Sequence, residues 1–134
     1  MKAVFDTNVL IAAFLTEGIC AKLIVRAHRR DFDLILCDGI LKEFKSVLKK
    51  KFSISSHDTS EALTILTEAT QEIRGQTDSI TPICRDADDD VILACAKDAV
   101  ADYIVTGDDD LLVLKNYEGT RIINPRAFEK LFPD

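Results

Sequence analysis

Tryptophan is absent from this sequence, and aromatic residues amount to only 7% of its 134 residues. Hydrophobic residues nevertheless make up 47%, which is ample for one core, and we expect Leu, Ile, Val and Ala to fill it. The length is that of one compact domain. Because no internal repeat, low-complexity segment or linker divides the chain, we predict a single domain over residues 1–134.

Basic charge is also scarce. The chain has 17 Lys and Arg against 23 Asp and Glu, for a formal net charge of -6 at pH 7. This balance argues mildly against a protein that binds nucleic acid through phosphate contacts alone. It does not exclude an enzyme acting on nucleic acid, because divalent metal held by carboxylates changes the local field.

Zinc-ligand motifs and long apolar segments are missing as well. The four cysteines form no CxxC pair and have no histidine at zinc-ligand spacing, so we expect buried free thiols in a reducing cytoplasm. The apolar residues 1–15 are interrupted by Asp6 and Asn8 and are too short to span a bilayer. We therefore expect a soluble, cytoplasmic protein without a membrane partner.

Short apolar runs alternate with segments of helical spacing along the chain. We predict strands at residues 2–5, 32–37, 79–84, 103–106 and 120–123. We predict helices at residues 9–15, after Glu17, at 40–51, 59–73 and 91–100, as a short turn within 108–114, and from Pro125 onward. Asn8 is predicted to cap the first helix and Gly75 to end the fourth. Short apolar strands without polar alternation, separated by helices, indicate an α/β fold. In this fold, helices cover both faces of a parallel sheet and form three layers with it.

Acidic residues follow or precede the central predicted strands. Asp6 ends the first strand, and Asp108 lies just past the fourth, followed by Asp109 and Asp110. Ligands of open parallel sheets bind beyond the carboxyl ends of the strands, where the strand order reverses. Residues 88–90, all Asp, open the helix that leads into the fourth strand, and a right-handed crossover starts that helix at the same edge. All these acids should therefore face one crevice.

Glu43 belongs to the same group by a finer argument. It lies in the opening turns of the predicted helix 40–51, near the carboxyl edge of the sheet. At about 100° per residue it falls at the margin of the apolar stripe. It could therefore reach over the crevice.

Four acidic positions so close together would repel one another strongly, and some would have to protonate. A divalent cation removes this conflict, and Mg²⁺ prefers oxygen ligands together with substrate phosphate. Such ions can activate a water and stabilise the leaving oxygen of a phosphodiester.

Each acid taken alone also has a structural explanation. Asp6 can end a strand, Glu43 can be a solvated surface charge, and Asp88 can serve the helix dipole. Residues 108–110 can form a polar turn. The catalytic interpretation depends on their convergence on one crevice.

Two basic clusters are alternatives for contact with phosphates. The first contains Arg26, Arg29 and Arg30 with His28, and the second covers residues 49–51. Solvated helix ends are the simpler interpretation of both, because cations favour helix C-termini.

The sequence resembles the PIN-domain ribonucleases, in particular the toxin components of bacterial and archaeal toxin–antitoxin pairs. The resemblance covers nearly the full chain, and DTNVL combined with the later ADYIVTGDDDLL is strongly specific. The residues that carry it are VFDTNVL at 4–10, Glu43 within ILKEF, RDADDDVILACA at 85–96 and ADYIVTGDDDLL at 101–112.

The resemblance implies a five-stranded parallel sheet between helices and Mg²⁺- or Mn²⁺-dependent cleavage of RNA. It assigns an acidic quartet of catalytic and metal-site residues to Asp6, Glu43, Asp90 and Asp108, with Asp110 as a further acid that supports the metal. Asn8 and Thr106 are implied as supporting polar residues. Spacing to Thr106 favours Asp90 as the third acid, but the adjacent Asp89 could take its place. The implied partners are an RNA substrate, a small antitoxin protein and a second copy of the chain.

Two other functions compete with this one. A haloacid-dehalogenase-like phosphatase also places an aspartate after its first strand, but it needs a second acid two residues later, where this chain has Asn8. A PIN-like domain that binds RNA or protein without cutting is the second alternative, although all four acidic positions are filled.

Overall fold

The computed structural model describes residues 1–75 and 84–133. The order of strands and helices follows the predicted alternation. The elements are β1 (Lys2–Phe5), α1 (Thr7–Leu15), α2 (Ile19–His28), β2 (Asp33–Cys37), α3 (Asp38–Lys50), α4 (Ser56–Ala69), β3 (Thr70–Arg74), α5 (Ala87–Ala99), β4 (Tyr103–Val105), α6 (Asp109–Leu112), β5 (Asn116–Tyr117), β6 (Thr120–Ile123) and α7 (Pro125–Glu129).

The sheet has the order β3-β2-β1-β4-β6-β5 among the described residues. Five strands are parallel, and the two-residue β5 pairs antiparallel with β6. The predicted α/β fold with a five-stranded parallel sheet between helices is therefore confirmed, with one short additional strand. β1 lies between β2 and β4, so the strand order reverses at its carboxyl end.

Side-chain caps begin four of the seven described helices, α4, α5, α6 and α7. The Ser55 hydroxyl accepts a hydrogen bond from the backbone N–H of Asp58 (3.0 Å) at the start of α4. The Asn124 side chain accepts from Ala127 N–H (2.8 Å) at the start of α7, with Pro125 in the first turn. α1 differs from its prediction: it begins at Thr7, so Asn8 lies inside its first turn instead of capping it.

The region after α4 departs from the predicted long helix. We predicted a helix over residues 59–73, but the helix ends at Ala69 and Thr70–Arg74 form β3. Pairing with β2, which includes Leu36 opposite Ile73, supplies backbone hydrogen bonds that outweigh the helical spacing. The strand predicted at 79–84 lies largely outside the described residues.

Aromatic rings contribute more to the core than their number suggests. Four of the other eight aromatic side chains gather around Phe128, which is fully buried. Its ring centroid lies 4.9 Å from that of Phe32, 5.9 Å from Phe5, 5.7 Å from Tyr103 and 5.3 Å from Phe132. Aliphatic residues fill most of the remaining core, as expected. The cluster joins α7 to β1, to β4 and to the residue that precedes β2.

No single helix in the described part of the chain is long and apolar enough to cross a membrane. α1 and α2 pass that test together by length and composition alone, with a bend of 98° between them.

Replacing Phe128 by Ala should lower the free energy of unfolding by about 3–5 kcal/mol, because it leaves a cavity among four aromatic rings. Urea denaturation measures this change. As a control, Val113→Ala removes a side chain that is 72% exposed and should change stability by less than about 0.5 kcal/mol. Equal effects of the two substitutions would contradict the role assigned to the aromatic cluster.

Candidate active site

Three carboxylates meet where the strand order reverses. Asp6 follows β1, Asp108 follows β4, and Asp89 lies in the first turn of α5. One carboxylate oxygen from each lies within 4.8 Å of the others. Asp6 and Asp89 are buried and Asp108 is half-buried. The N-terminus of α5 therefore lies at the sheet edge that the sequence predicted.

Thr106 connects two of these acids. Its hydroxyl donates a hydrogen bond to Asp6 Oδ2 (2.7 Å) and accepts one from the backbone N–H of Asp108 (3.0 Å). The side chain is fully buried, so both contacts are shielded from water. Asp6 occupies the N-cap position of α1, yet its carboxylate makes no capping hydrogen bond. Thr106 therefore orients Asp6 toward the crevice, the position that the family resemblance implies for it.

Asp89 and Asp90 take different roles in the structure. Asp89 joins Asp6 and Asp108, whereas Asp90 Oδ1 accepts a hydrogen bond from the backbone N–H of Cys84 (2.8 Å). Successive residues on a helix point about 100° apart, so the two side chains cannot both face the crevice. The spacing argument favoured Asp90, but the geometry favours its neighbour as the third acid of the cluster. Asp90 instead holds the segment that leads into α5.

Glu43 reaches the margin of this cluster from α3. It is half-buried, and burial raises its pKa, with further increases from the charges of Asp88, Asp6 and Asp86. The buried Thr7 hydroxyl lies near Glu43 without a hydrogen bond of good geometry and lowers the pKa in part. Glu43 is therefore close enough to the cluster for the charge of Asp6 to affect its pKa.

Burial and mutual repulsion disfavour ionisation of the clustered acids. Burial, followed by the charges of Asp108 and Asp6, raises the pKa of Asp89 to about 7. Burial also raises the pKa of Asp6, against the lowering effect of the Thr106 hydroxyl and nearby backbone N–H groups. In the metal-free protein, Asp89 thus retains a proton more readily than an ordinary aspartate.

The donor atoms of the cluster fit a hard divalent cation. All are carboxylate oxygens, the ligands that Mg²⁺ and Mn²⁺ favour. Asp89 Oδ2 is buried and has no hydrogen-bond partner among the described residues. A buried carboxylate oxygen without a donor is costly unless a cation or a proton compensates it.

The other predicted supporting residues lie close by but outside the three-carboxylate group. The Asp110 backbone N–H donates to Asp108 Oδ1 (2.9 Å), while the Asp110 carboxylate pairs with Arg85. Asn8 is exposed on the first turn of α1. Sequence reasoning missed Arg85 and Thr7. The only signal for Arg85 was a cation next to the acidic run at 86–90.

The arginines at the end of α2 make ion pairs and hydrogen bonds within the fold, and one of them is buried. Arg26 is 6% exposed and binds both Glu129 carboxylate oxygens (2.9 and 2.8 Å). Arg29 pairs with Asp31 (2.6 Å), and Arg30 donates to the carbonyl oxygen of Ala69 (2.8 Å). Arg26 is therefore not part of the solvated helix end that we predicted, whereas His28, Arg29 and Arg30 are exposed at that end, as expected.

All four cysteines are free thiols, as predicted. Only Cys37 and Cys95 are buried, whereas Cys20 and Cys84 are half-buried. Hydrogen bonding to Cys95 lowers the pKa of Cys37 to about 7 and raises that of Cys95.

This fold and site define a class of α/β proteins that place a carboxylate cluster at the reversal point of a parallel sheet. A sequence profile of the PIN domain matches residues 2–110. The chain therefore belongs to the PIN-domain family, whose members are typically nucleases.

Comparison of structures agrees with this assignment. The fold is similar to a chain in the crystal structure of VapBC2 from Rickettsia felis bound to a DNA fragment from their promoter. The TM-score is 0.68 at 13% sequence identity, and the match covers 92% of this chain and 98% of the other. At this identity the likeness shows the fold alone. No curated protein sequence matches this chain.

The metal-free protein should become less stable as the pH rises from about 4 to about 7. The pKa of Asp89 is raised from 3.8 to about 7, so within this interval the folded state binds more protons than the unfolded state. The raised pKa values of Asp6 and Glu43 also lower the stability of the folded state as the pH rises. Thermal unfolding in EDTA across this range measures the effect.

Asp89→Asn should flatten this pH dependence, and Mn²⁺ should raise the melting temperature of the wild-type protein most above pH ~7. Asp109→Asn, which removes a neighbouring exposed carboxylate, is the matched control and should retain the wild-type profile. A profile that is unchanged in Asp89→Asn would refute the assignment.

Proposed function

We propose that this protein is a metal-dependent endoribonuclease that hydrolyses RNA phosphodiester bonds. The observation that supports this most directly is the cluster of Asp6, Asp89 and Asp108, in which Asp89 Oδ2 is buried and has no partner among the described residues. Membership of the PIN-domain family supports nuclease chemistry in general. The proposal further specifies RNA as the substrate and Mg²⁺ or Mn²⁺ as the ion.

Asp6, Asp89 and Asp108 would hold the ion, and Asp90 would support the helix that carries Asp89. When bound, the ion would supply positive charge for the developing phosphorane and lower the pKa of attacking water. Thr106 fixes the orientation of Asp6 through its 2.7 Å hydrogen bond, so this ligand needs little reorganisation.

Glu43 would accept the proton of the attacking water. Its raised pKa suits a general base, because a base works best when its pKa is near the working pH. The water oxygen forms the new bond to phosphorus, the bond from phosphorus to the leaving ribose oxygen breaks, and that oxygen takes up a proton from solvent. No protein residue becomes covalently attached to the substrate in this scheme.

The same proposal extends to partners and location. We propose that the chain is the toxin of a toxin–antitoxin pair in the cytoplasm, with a small antitoxin protein and a second copy of itself as partners. The similarity to a chain of the VapBC2 assembly supports the antitoxin. The four free thiols suit a reducing compartment.

Neither alternative function gains support from the site. A phosphatase of the haloacid-dehalogenase type would need an acid where this chain has Asn8, whose amide cannot donate a proton as a general acid. A silent binding module would not need three clustered, mutually repelling carboxylates, two of them buried.

Asp6→Asn should abolish both metal binding and RNA cleavage, because it replaces a cluster carboxylate by a neutral amide. The experiment incubates purified protein with labelled structured RNAs in Mg²⁺, Mn²⁺ or EDTA. Cleavage should require the metal and be lost in Asp6→Asn. Isothermal titration with Mn²⁺ provides a readout that is independent of activity.

Asp109→Asn is the control for this experiment, because Asp109 is exposed and outside the cluster. It should cleave RNA at the wild-type rate. Cleavage that persists in EDTA, or in Asp6→Asn at the wild-type rate, would refute the metal-dependent mechanism. Trapping of an aspartyl-phosphate on Asp6 would support the phosphatase instead.

Glu43→Gln should separate binding from chemistry. We expect it to bind Mn²⁺ with nearly wild-type affinity but to cleave RNA about 10²- to 10⁴-fold more slowly, the usual contribution of a general base. Single-turnover cleavage and Mn²⁺ titration measure the two properties. Loss of Mn²⁺ binding in Glu43→Gln would instead make Glu43 a metal ligand.

A further inference from the structure

Arg85 is an exposed cation fixed at the rim of the acidic cluster. Its side chain is 85% exposed, and Nη2 lies 2.8 Å from Asp110 Oδ1 and 2.9 Å from Asp110 Oδ2. The backbone N–H of Asp110 donates to Asp108 Oδ1. Asp110 therefore links the Arg85 guanidinium to Asp108, one of the carboxylates proposed to hold the metal.

The surroundings of Arg85 are strongly negative. The charges that raise the pKa values of Asp6, Glu43 and Asp89 all belong to other carboxylates. A polyanionic substrate would be repelled by this field until the cluster had bound its ion. In addition to the bound ion, Arg85 at the rim would attract the phosphates that flank the reacting phosphate.

The ion pair with Asp110 is suited to exchange. Exposed ion pairs contribute little to stability, so breaking this one costs little. A phosphodiester presents two anionic oxygens that a guanidinium binds as well as it binds a carboxylate. Among the described residues, Nε and Nη1 of Arg85 make no hydrogen bond, which leaves further donors for a phosphate.

We infer that Arg85 binds an RNA phosphate beside the metal site, leaving Asp110 when the substrate arrives. This inference rests on the ribonuclease activity proposed above. Asp110 then holds the guanidinium in position in the free protein and competes with RNA for it. Arg85 is a substrate-binding residue in this scheme and takes no part in holding the metal.

The competing explanation is that the ion pair only fixes the segment before α5 to α6. The two explanations differ in what Asp110→Asn does. If the ion pair is only structural, removal of either partner breaks it. Arg85→Gln and Asp110→Asn would then weaken RNA binding to the same extent. If Arg85 binds phosphate, only Arg85→Gln weakens binding, and Asp110→Asn leaves RNA affinity equal or higher.

The test measures binding of a fluorescein-labelled single-stranded RNA by anisotropy, in Mg²⁺, across a series of KCl concentrations. All variants are made in the Glu43→Gln background so that the RNA stays intact. Arg85→Gln should weaken binding and reduce the slope of log K against log salt by about 0.7, the contribution of one phosphate contact on a single strand. Arg85→Lys should retain the slope.

Arg121→Gln is the matched control, since it makes the same change of charge at an exposed arginine near the amino end of β6. It should keep the parent slope, and Mn²⁺ affinity should be unchanged in Arg85→Gln. The inference is overturned if Arg85→Gln keeps the parent slope, if Arg121→Gln lowers it equally, or if Asp110→Asn weakens binding as much as Arg85→Gln.

Failure of the underlying function gives a different pattern. In that case the protein with Glu43 intact cleaves no RNA, and the Glu43→Gln parent binds none at any salt concentration. That result would overturn the ribonuclease proposal and the role of Arg85 together. Cleavage that is intact, with a salt slope independent of Arg85, would overturn the role of Arg85 alone.

Discussion

Repulsion among carboxylates at the end of a buried parallel strand is the constraint that the rest of the site satisfies. Oxygens of Asp6, Asp89 and Asp108 lie within 4.8 Å of one another, where little water can screen them. The protein compensates two of them with its own donors, through Thr106 to Asp6 and the Asp110 N–H to Asp108. Asp89 Oδ2 receives no such donor within the described residues. The uncompensated negative charge is therefore concentrated at Asp89 Oδ2, where a bound cation would be stabilised most.

The sequence was a sound guide to the fold and to the edge where the acids gather. Apolar strands without alternation indicate a parallel sheet, and the handedness of crossovers then fixes which helix ends meet which sheet edge. Asp6, Asp108 and the start of α5 could therefore be placed together without coordinates. The choice between Asp89 and Asp90 could not, because it depends on the rotation of α5, which a shift of one residue changes by about 100°.

Other features depended on contacts that have no local signature. Thr70–Arg74 has residues compatible with a helix, and only pairing with β2 makes it a strand. Arg26 looked like part of a solvated helix end, yet Glu129, which is 103 positions away, buries it in a two-oxygen ion pair. Phe132 stacks on the same guanidinium at 4.8 Å. Pairings over such distances decide whether a cation serves the fold or faces the solvent.

The long separation of these partners also sets the order in which the protein becomes complete. The hydrogen bond from Thr106 to Asp6 joins residues 100 positions apart, and the rings of Phe5 and Phe32 are covered only when Phe128 of α7 is present. Contacts of this range form late in folding, because long loops must close first. On the ribosome, β1 emerges early but has neither its neighbour β4 nor its covering rings. Competence for the proposed reaction therefore arises only after nearly all of the described chain has been synthesised.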